Sequence, residues 1–156
     1  MKKIDYKKLF LYIVITILIG VIPSIFVFKD MADYSTLNKP PLSPPGIIFP
    51  IAWSILYILM GISYYIVKKK DGKYKEEAKL IYFIQLVVNA LWTPIFFGFK
   101  EYFLAFTWIL MLIVLVIFMI TIFFKINKMS AYLQIPYLFW LLFAAYLNFG
   151  VFVLNT

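Results

Sequence analysis

Five stretches of the chain run almost free of charge for the length a membrane helix needs. They cover about 9–28, 46–67, 78–99, 102–124 and 130–154. A hydrocarbon core takes roughly 20 mostly apolar residues in an α-helix. The runs are continuously apolar and do not alternate, which argues against a β-barrel. The pattern therefore predicts an all-α integral membrane protein, a bundle of five transmembrane helices forming one domain over residues 1–156. The first run has a basic start, as a secretory signal has. However, IPSIFVFKD follows it in place of a small-residue cleavage site, so it is read as a retained span. Only Lys100 and Glu101 separate the third and fourth runs, which predicts a tight antiparallel hairpin. Residues 29–45 form the one substantial loop, and function favours such loops.

The polar positions between the runs are mostly lysine. Lys2, Lys3, Lys7 and Lys8 precede the first span. Lys68, Lys69, Lys70, Lys73, Lys75 and Lys79 fill the second connection, and Lys125 and Lys128 the fourth. The other side carries Lys29, Lys39 and Lys100. The positive-inside rule then places the N-terminus in the cytoplasm and the C-terminus outside, in what topology and composition suggest is a bacterial plasma membrane.

Composition agrees with a lipid environment: 65% of 156 residues are hydrophobic, 21% aromatic and 14% charged. Soluble domains are nearer a quarter charged. The formal charge of +8 is spent on topology, so nucleic acid is not expected as a partner. There is no cysteine and no histidine, hence no disulfide framework, thiol nucleophile or imidazole base, and no metal site is expected. The spans lack the ionisable residues that ion-coupled transporters use.

Few polar residues remain inside the spans. Gln85, Asn89, Gln134 and Asn148 stand out, and each can be answered by a hydrogen bond to a neighbouring helix. Asn89 has distinctive neighbours. It shares a helical face with Trp92 and Phe96, at i, i+3 and i+7. Trp53 and Tyr57 are paired at i, i+4, and Trp140, Ala144 and Leu147 at i, i+4, i+7. Interfacial anchoring accounts for Trp53 and Trp92, and helix packing for Trp140, when each is taken alone. Taken together, Asn89 and Trp53 bring donors to an apolar, aromatic surface, as a ligand pocket requires. Pro94 predicts a local bend beside it. The surface lies near KPPLSPPGIIFP, residues 39–50, where five of twelve positions are proline. Such a segment is stiff and costs little entropy to order; it also suits a plain entry into a helix.

These segments are similar to motifs of the translocator protein family, also called the tryptophan-rich sensory protein or peripheral-type benzodiazepine receptor (TspO/MBR) family. The resemblance covers nearly the whole chain. It rests on NKPPLSPPGIIFPIAWSILYILMG at 38–61, QLVVNALWTPIFFG at 85–98 and PYLFWLLFAAYLN at 136–148. It implies a five-helix bundle, a homodimer, and binding of tetrapyrroles (protoporphyrin IX, haem) and isoquinoline carboxamides or benzodiazepines, with no cofactor required. By the same resemblance Trp53 and Asn89 are the polar ligand contacts, and Trp92, Ala144, Leu147 and Trp140 line the pocket. Tyr34, Pro44, Pro45 and Ile48 form the lid and its rim.

The chain departs from the family pattern in three places. Leu42 stands where the lid usually carries tryptophan. Trp108 stands where the fourth span usually has Asp, and lipid or dimer contact is the reading for it. No basic residue follows Tyr146, which argues against cholesterol, although Leu59, Tyr64 and Lys68 match the loose sterol pattern elsewhere. Three functions are compatible with these residues. One is a tetrapyrrole-binding membrane protein with a sensory or regulatory role. Another is a light- and oxygen-dependent porphyrin-degrading catalyst acting through Trp53 and Trp140, for which no conventional machinery exists. The third is a passive transporter of porphyrins or other apolar solutes.

Overall fold

The structure, a computed structural model, describes residues 4–156; Lys2 and Lys3 lie outside the described residues. Its helices are α1 (Tyr6–Phe26), α2 (Ile48–Lys68), α3 (Lys75–Thr93), α4 (Tyr102–Ile126), α5 (Lys128–Tyr132) and α6 (Ile135–Asn155). A 3-10 turn, Asp30–Thr36, lies between α1 and α2, and a π turn, Pro94–Gly98, prolongs α3. Five segments are long and apolar enough to span a membrane: Tyr6–Phe26, Ile48–Lys68, Lys75–Gly98, Tyr102–Ile126 and Lys128–Asn155. The protein is an all-helical, multi-pass membrane bundle.

The ends differ from the apolar runs for local reasons. α1 starts at Tyr6 because Asp5 caps it, its carboxylate accepting from the Lys8 amide at 3.1 Å. That hydrogen bond holds the Asp5 carboxyl below its ordinary range. α3 gains a turn at its start, where Glu76 and Glu77 complement the positive helix end. The third run does not stay α-helical to 99. Pro94 has no N–H to give, and the chain widens into a π turn closed by Phe99 N–H on the Pro94 carbonyl at 2.9 Å. The fifth run is two helices, broken at Leu133 and Gln134. Pro136 cannot bond back to Tyr132, and its ring opposes that carbonyl.

α1 lies against α2 and α3, α4 against α3 and α6, and α5 against α4 and α2. Ser63 Oγ donates to the Ser130 carbonyl at 2.7 Å, tying α2 to α5. Asp5 N–H donates to Tyr65 Oη at 2.7 Å, so the N-terminus and the end of α2 share one face of the bundle. Lys125 sits over the Tyr74 ring on that face, which we call the lysine end. The loop of residues 29–45 lies at the opposite, lid end.

The loop is more ordered than a connector. Residues 30–36 wind into the 3-10 turn, and Pro40–Ser43 make a tight turn with Ser43 N–H on the Pro40 carbonyl at 3.4 Å. Pro41 occupies the position that favours proline, and Leu42 the one that needs positive φ, at 68°. Asn155 Nδ2 donates to the Asn38 carbonyl (2.8 Å), and Asn38 N–H donates to Asn155 Oδ1 (3.0 Å). Tyr146 Oη donates to the Pro41 carbonyl at 2.6 Å. The Pro40 ring rests on Gly150 where a Cβ would collide with it.

Gln134 is fully buried and neither of its amide atoms finds a partner among the described residues. The expectation that a neighbouring helix answers it therefore fails for this residue. Replacing an unsatisfied buried amide with an apolar group of similar shape removes a cost of about 1–3 kcal/mol. Gln134→Met is expected to raise the thermal midpoint in detergent; a lowered midpoint would mean the amide is bonded in the folded state.

Candidate functional site

A cavity of about 480 Å³ opens at the lid end, within the range of small-molecule sites. Its wall draws on α1, the 3-10 turn, α2, α3 with its π turn, α4 and α6, and contains no charged side chain. Apolar spans supply the aromatic walls, and a few amides and hydroxyls supply the polarity.

A hydrogen-bonded chain crosses three helices at the cavity's deep end, with Tyr57 and Asn89 in the wall and Tyr137 and Gln85 buried outside it. Tyr57 Oη donates to Asn89 Oδ1 at 3.0 Å, and Asn89 Nδ2 donates to Tyr137 Oη at 2.8 Å. Tyr137 Oη donates to Gln85 Oε1 at 3.1 Å. α2, α3 and α6 are thus joined through one buried amide, the partnership that lipid demands of a polar side chain. Asn89 is therefore not a free handle: one of its N–H groups and one lone pair are already used. Tyr57 reaches it because Gly20 of α1 has no Cβ, and any Cβ there would strike the Tyr57 ring.

The aromatic wall continues from this chain. Trp53 stacks on Tyr57 at 5.4 Å and meets Trp140 edge-on at 6.3 Å. Phe49 lies edge-on to Trp140 at 6.0 Å and to Tyr34 at 5.5 Å, linking the wall to the lid. Trp92 stacks on Phe96 at 5.1 Å, and its N–H donates to Asn148 Oδ1 at 3.1 Å. Asn148 in turn donates to the Ala144 carbonyl at 2.8 Å. Trp92 thereby fastens α3 to α6 as well as lining the cavity. Trp140 Nε1 is buried without a partner among the described residues.

Trp53, Tyr57, Asn89, Trp92, Trp140, Ala144, Leu147 and Tyr34 all line the cavity. Ile48, Leu42, Pro44 and Pro45 are not in its wall. Ile48 is one residue out of register with the cavity face of α2, which runs Phe49, Trp53, Tyr57 at four-residue steps. Leu42 is 82% exposed because the tight turn directs it away from the bundle. Its substitution for a lid tryptophan therefore removes nothing from this wall. Trp108 is half-buried, and its N–H donates to the Val88 carbonyl at 2.7 Å, which ties α4 to α3. Phe49 and Tyr137 were missed, though the four-residue spacing Phe49, Trp53, Tyr57 and the three-residue spacing Tyr137, Trp140 are both present in the chain.

Charge is confined to the rim. Lys39 Nζ donates to the Tyr34 carbonyl at 3.2 Å and lies 4.9 Å from the Tyr34 ring. Burial pushes the Tyr34 phenol up, so it stays neutral. Lys100 donates to Asp33 Oδ2 at 2.8 Å, and that carboxylate raises the Lys100 ammonium. The pair is exposed on both sides and adds little stability. Val21 on α1, Pro50 and Ser54 on α2, and Phe28, Met31 and Gly46 nearer the loop are both cavity-lining and exposed. The hydroxyls of Ser24 and Ser54 are spent on the carbonyls of Val21 and Pro50.

Five spans enclosing a neutral, aromatic cavity under a proline-rich clasp define a multi-pass helical membrane protein. The TspO/MBR family profile matches residues 12–154. The chain is 37% identical over 122 residues to the tryptophan-rich sensory protein of Cereibacter sphaeroides, covering 78% of this chain and 76% of that one. It is 35% identical over 150 residues to the tryptophan-rich protein TspO of Archaeoglobus fulgidus, covering 96% and 97%. The translocator protein of Ovis aries is 35% identical over 119 residues, covering 74% and 70%. The chain belongs to the TspO/MBR family.

Two substitutions test the construction of the site. Tyr137→Phe takes the partner from Asn89 Nδ2 and from Gln85 Oε1 and should lower stability by about 1–3 kcal/mol, read as a fall in the unfolding midpoint. Gly150→Ala forces Pro40 off α6. It should cost about 1–3 kcal/mol through overpacking and speed proteolysis between residues 38 and 45.

Proposed function

We propose that the protein binds tetrapyrroles such as protoporphyrin IX or haem, and isoquinoline carboxamide-type ligands, in this cavity as a sensory or regulatory membrane protein. The observation that carries the reading is a wall of stacked and edge-on indole and phenol rings interrupted by two amides, Asn89 and Asn148. A flat, aromatic, mostly apolar molecule matches such a wall. Trp53 and Asn89 are the polar contacts, Trp92, Trp140, Ala144 and Leu147 the lining. The Tyr34 turn and the collar carrying Leu42, Pro44 and Pro45 act as the lid. No cofactor is needed for binding.

The neutral wall constrains how a tetrapyrrole would lie. A carboxylate buried there would have no cation, which is costly. Its carboxylates therefore stay at the rim, beside Lys39. The protein works in a bacterial plasma membrane with the lysine end in the cytoplasm, as a homodimer. Exposed lining residues such as Val21, Phe28 and Ser54 support ligand entry from the lipid, and they are the feature that favours passive transport as a further role. The edge-on contact of Trp53 with Trp140 favours photo-oxidative porphyrin degradation as the second reading. Electron loss from an indole to the excited porphyrin, with oxygen as the final oxidant, is its first step.

Titration of detergent-held protein with protoporphyrin IX in the dark should quench tryptophan emission saturably. Trp53→Phe or Asn89→Ala should weaken binding about tenfold or more; unchanged affinity in both would remove the cavity from the assignment. Lys39→Gln should weaken protoporphyrin IX but not a porphyrin lacking carboxylates. Under illumination, degradation requires that the wild type bleach bound porphyrin faster than Trp140→Phe; equal rates leave a binder and not a catalyst.

A further inference from the structure

The lysine end holds a second, smaller cleft, far from the aromatic cavity and independent of what that cavity binds. It measures about 130 Å³ and forms where the α2–α3 connection meets the last turn of α4. Lys70, Lys73, Lys75 and Lys125 line it with Asp71 and Tyr74. Four lysines thus line the cleft against one aspartate, and Lys75 Nζ holds the Asp71 carboxylate at 2.7 Å.

The other cations are arranged around a ring. Lys125 Nζ lies 4.8 Å from the centre of Tyr74 and Lys73 Nζ lies 5.7 Å from it. The two lysines come from different elements, one from the connection and one from α4. Among the described residues neither makes an ion pair with a carboxylate. Two like charges drawn to one ring repel each other, and an anion between them would relieve that repulsion. The volume suits a phosphate group and is too small for a drug-sized organic ligand.

The setting identifies the source of the phosphate. α2 ends at Lys68, α3 begins at Lys75 and α4 ends at Ile126, so the cleft lies where three spans leave the hydrocarbon. That is the level of the lipid headgroups, where tyrosine rings also settle. Basic pockets between membrane helices bind anionic headgroups. We propose that this cleft is a binding site for the phosphate of an anionic lipid headgroup, held between Lys73 and Lys125 on the Tyr74 platform. The site would anchor the α2–α3 connection to the bilayer surface and tie it to the end of α4.

The test is native mass spectrometry of the full chain in detergent, titrated with phosphatidylglycerol and, for comparison, with phosphatidylcholine. The wild type should retain phosphatidylglycerol selectively. Lys73→Gln or Lys125→Gln should weaken that retention about fivefold each, the loss of one cation near an anionic surface. Lys79→Gln removes the same charge from an exposed position outside the cleft and should leave it unchanged. Tyr74→Leu keeps every charge and should still weaken binding, because the lysines lose their platform. Equal losses in Lys73→Gln, Lys125→Gln and Lys79→Gln would overturn the site in favour of a diffuse field. Displacement of the lipid by an equal concentration of inorganic phosphate would overturn the lipid as the source.

Discussion

Asn89 sits in the interior of the bundle, and the partners its amide finds hold three helices in register. Its oxygen takes the Tyr57 hydroxyl from α2 and its nitrogen reaches Tyr137 on α6, which passes the chain on to Gln85 one turn below. Apolar packing among spans gains nothing from the hydrophobic effect, because lipid is as apolar as leucine. Directional bonds and close ring packing therefore decide which faces meet. With Tyr57 and Tyr137 fixed, Trp53 packs on both rings, Trp140 follows Trp53, and the cavity acquires its wall.

The lid depends on the same economy of small and stiff residues. Proline sets φ in advance, and Leu42 accepts a positive φ, normally a cost of about 1–2 kcal/mol for a side-chain-bearing residue. What stabilises the turn is its docking on α6: Pro40 on Gly150, Pro41 under Tyr146, Asn38 against Asn155. The collar is thus a clasp between the loop and the end of the last helix. It holds the 3-10 turn so that Tyr34 meets Phe49 at the cavity rim. The π turn at Pro94 completes the same end, bringing Phe96 and Phe97 to the wall.

Much of the site was legible because helical spacing is local. Asn89, Trp92 and Phe96, or Trp140, Ala144 and Leu147, share faces that any α-helix would give them, and the wall contains all six. Ile48 failed by one residue, since α2 presents Phe49 instead and a shift of one position turns a side chain by about 100°. Leu42 belongs to the collar but stays off the wall, because a turn's φ, not its residue class, sets where a side chain points. The bond made by Trp108 was not legible, because nothing near it in the chain reveals the Val88 carbonyl one helix away.

The chain by itself determined the membrane class, the number of spans, the lysine asymmetry and the aromatic faces. Each follows from composition and from periodicities that act within one helix. Only the tertiary structure decided that Asn89 is bonded between two tyrosines, that the collar clasps α6, and that Lys73 and Lys125 share one ring. Those outcomes join residues from different helices. In a bundle without a hydrophobic drive between spans, such contacts depend on where each buried polar group finds its partner and on which residues are small enough to let the helices close.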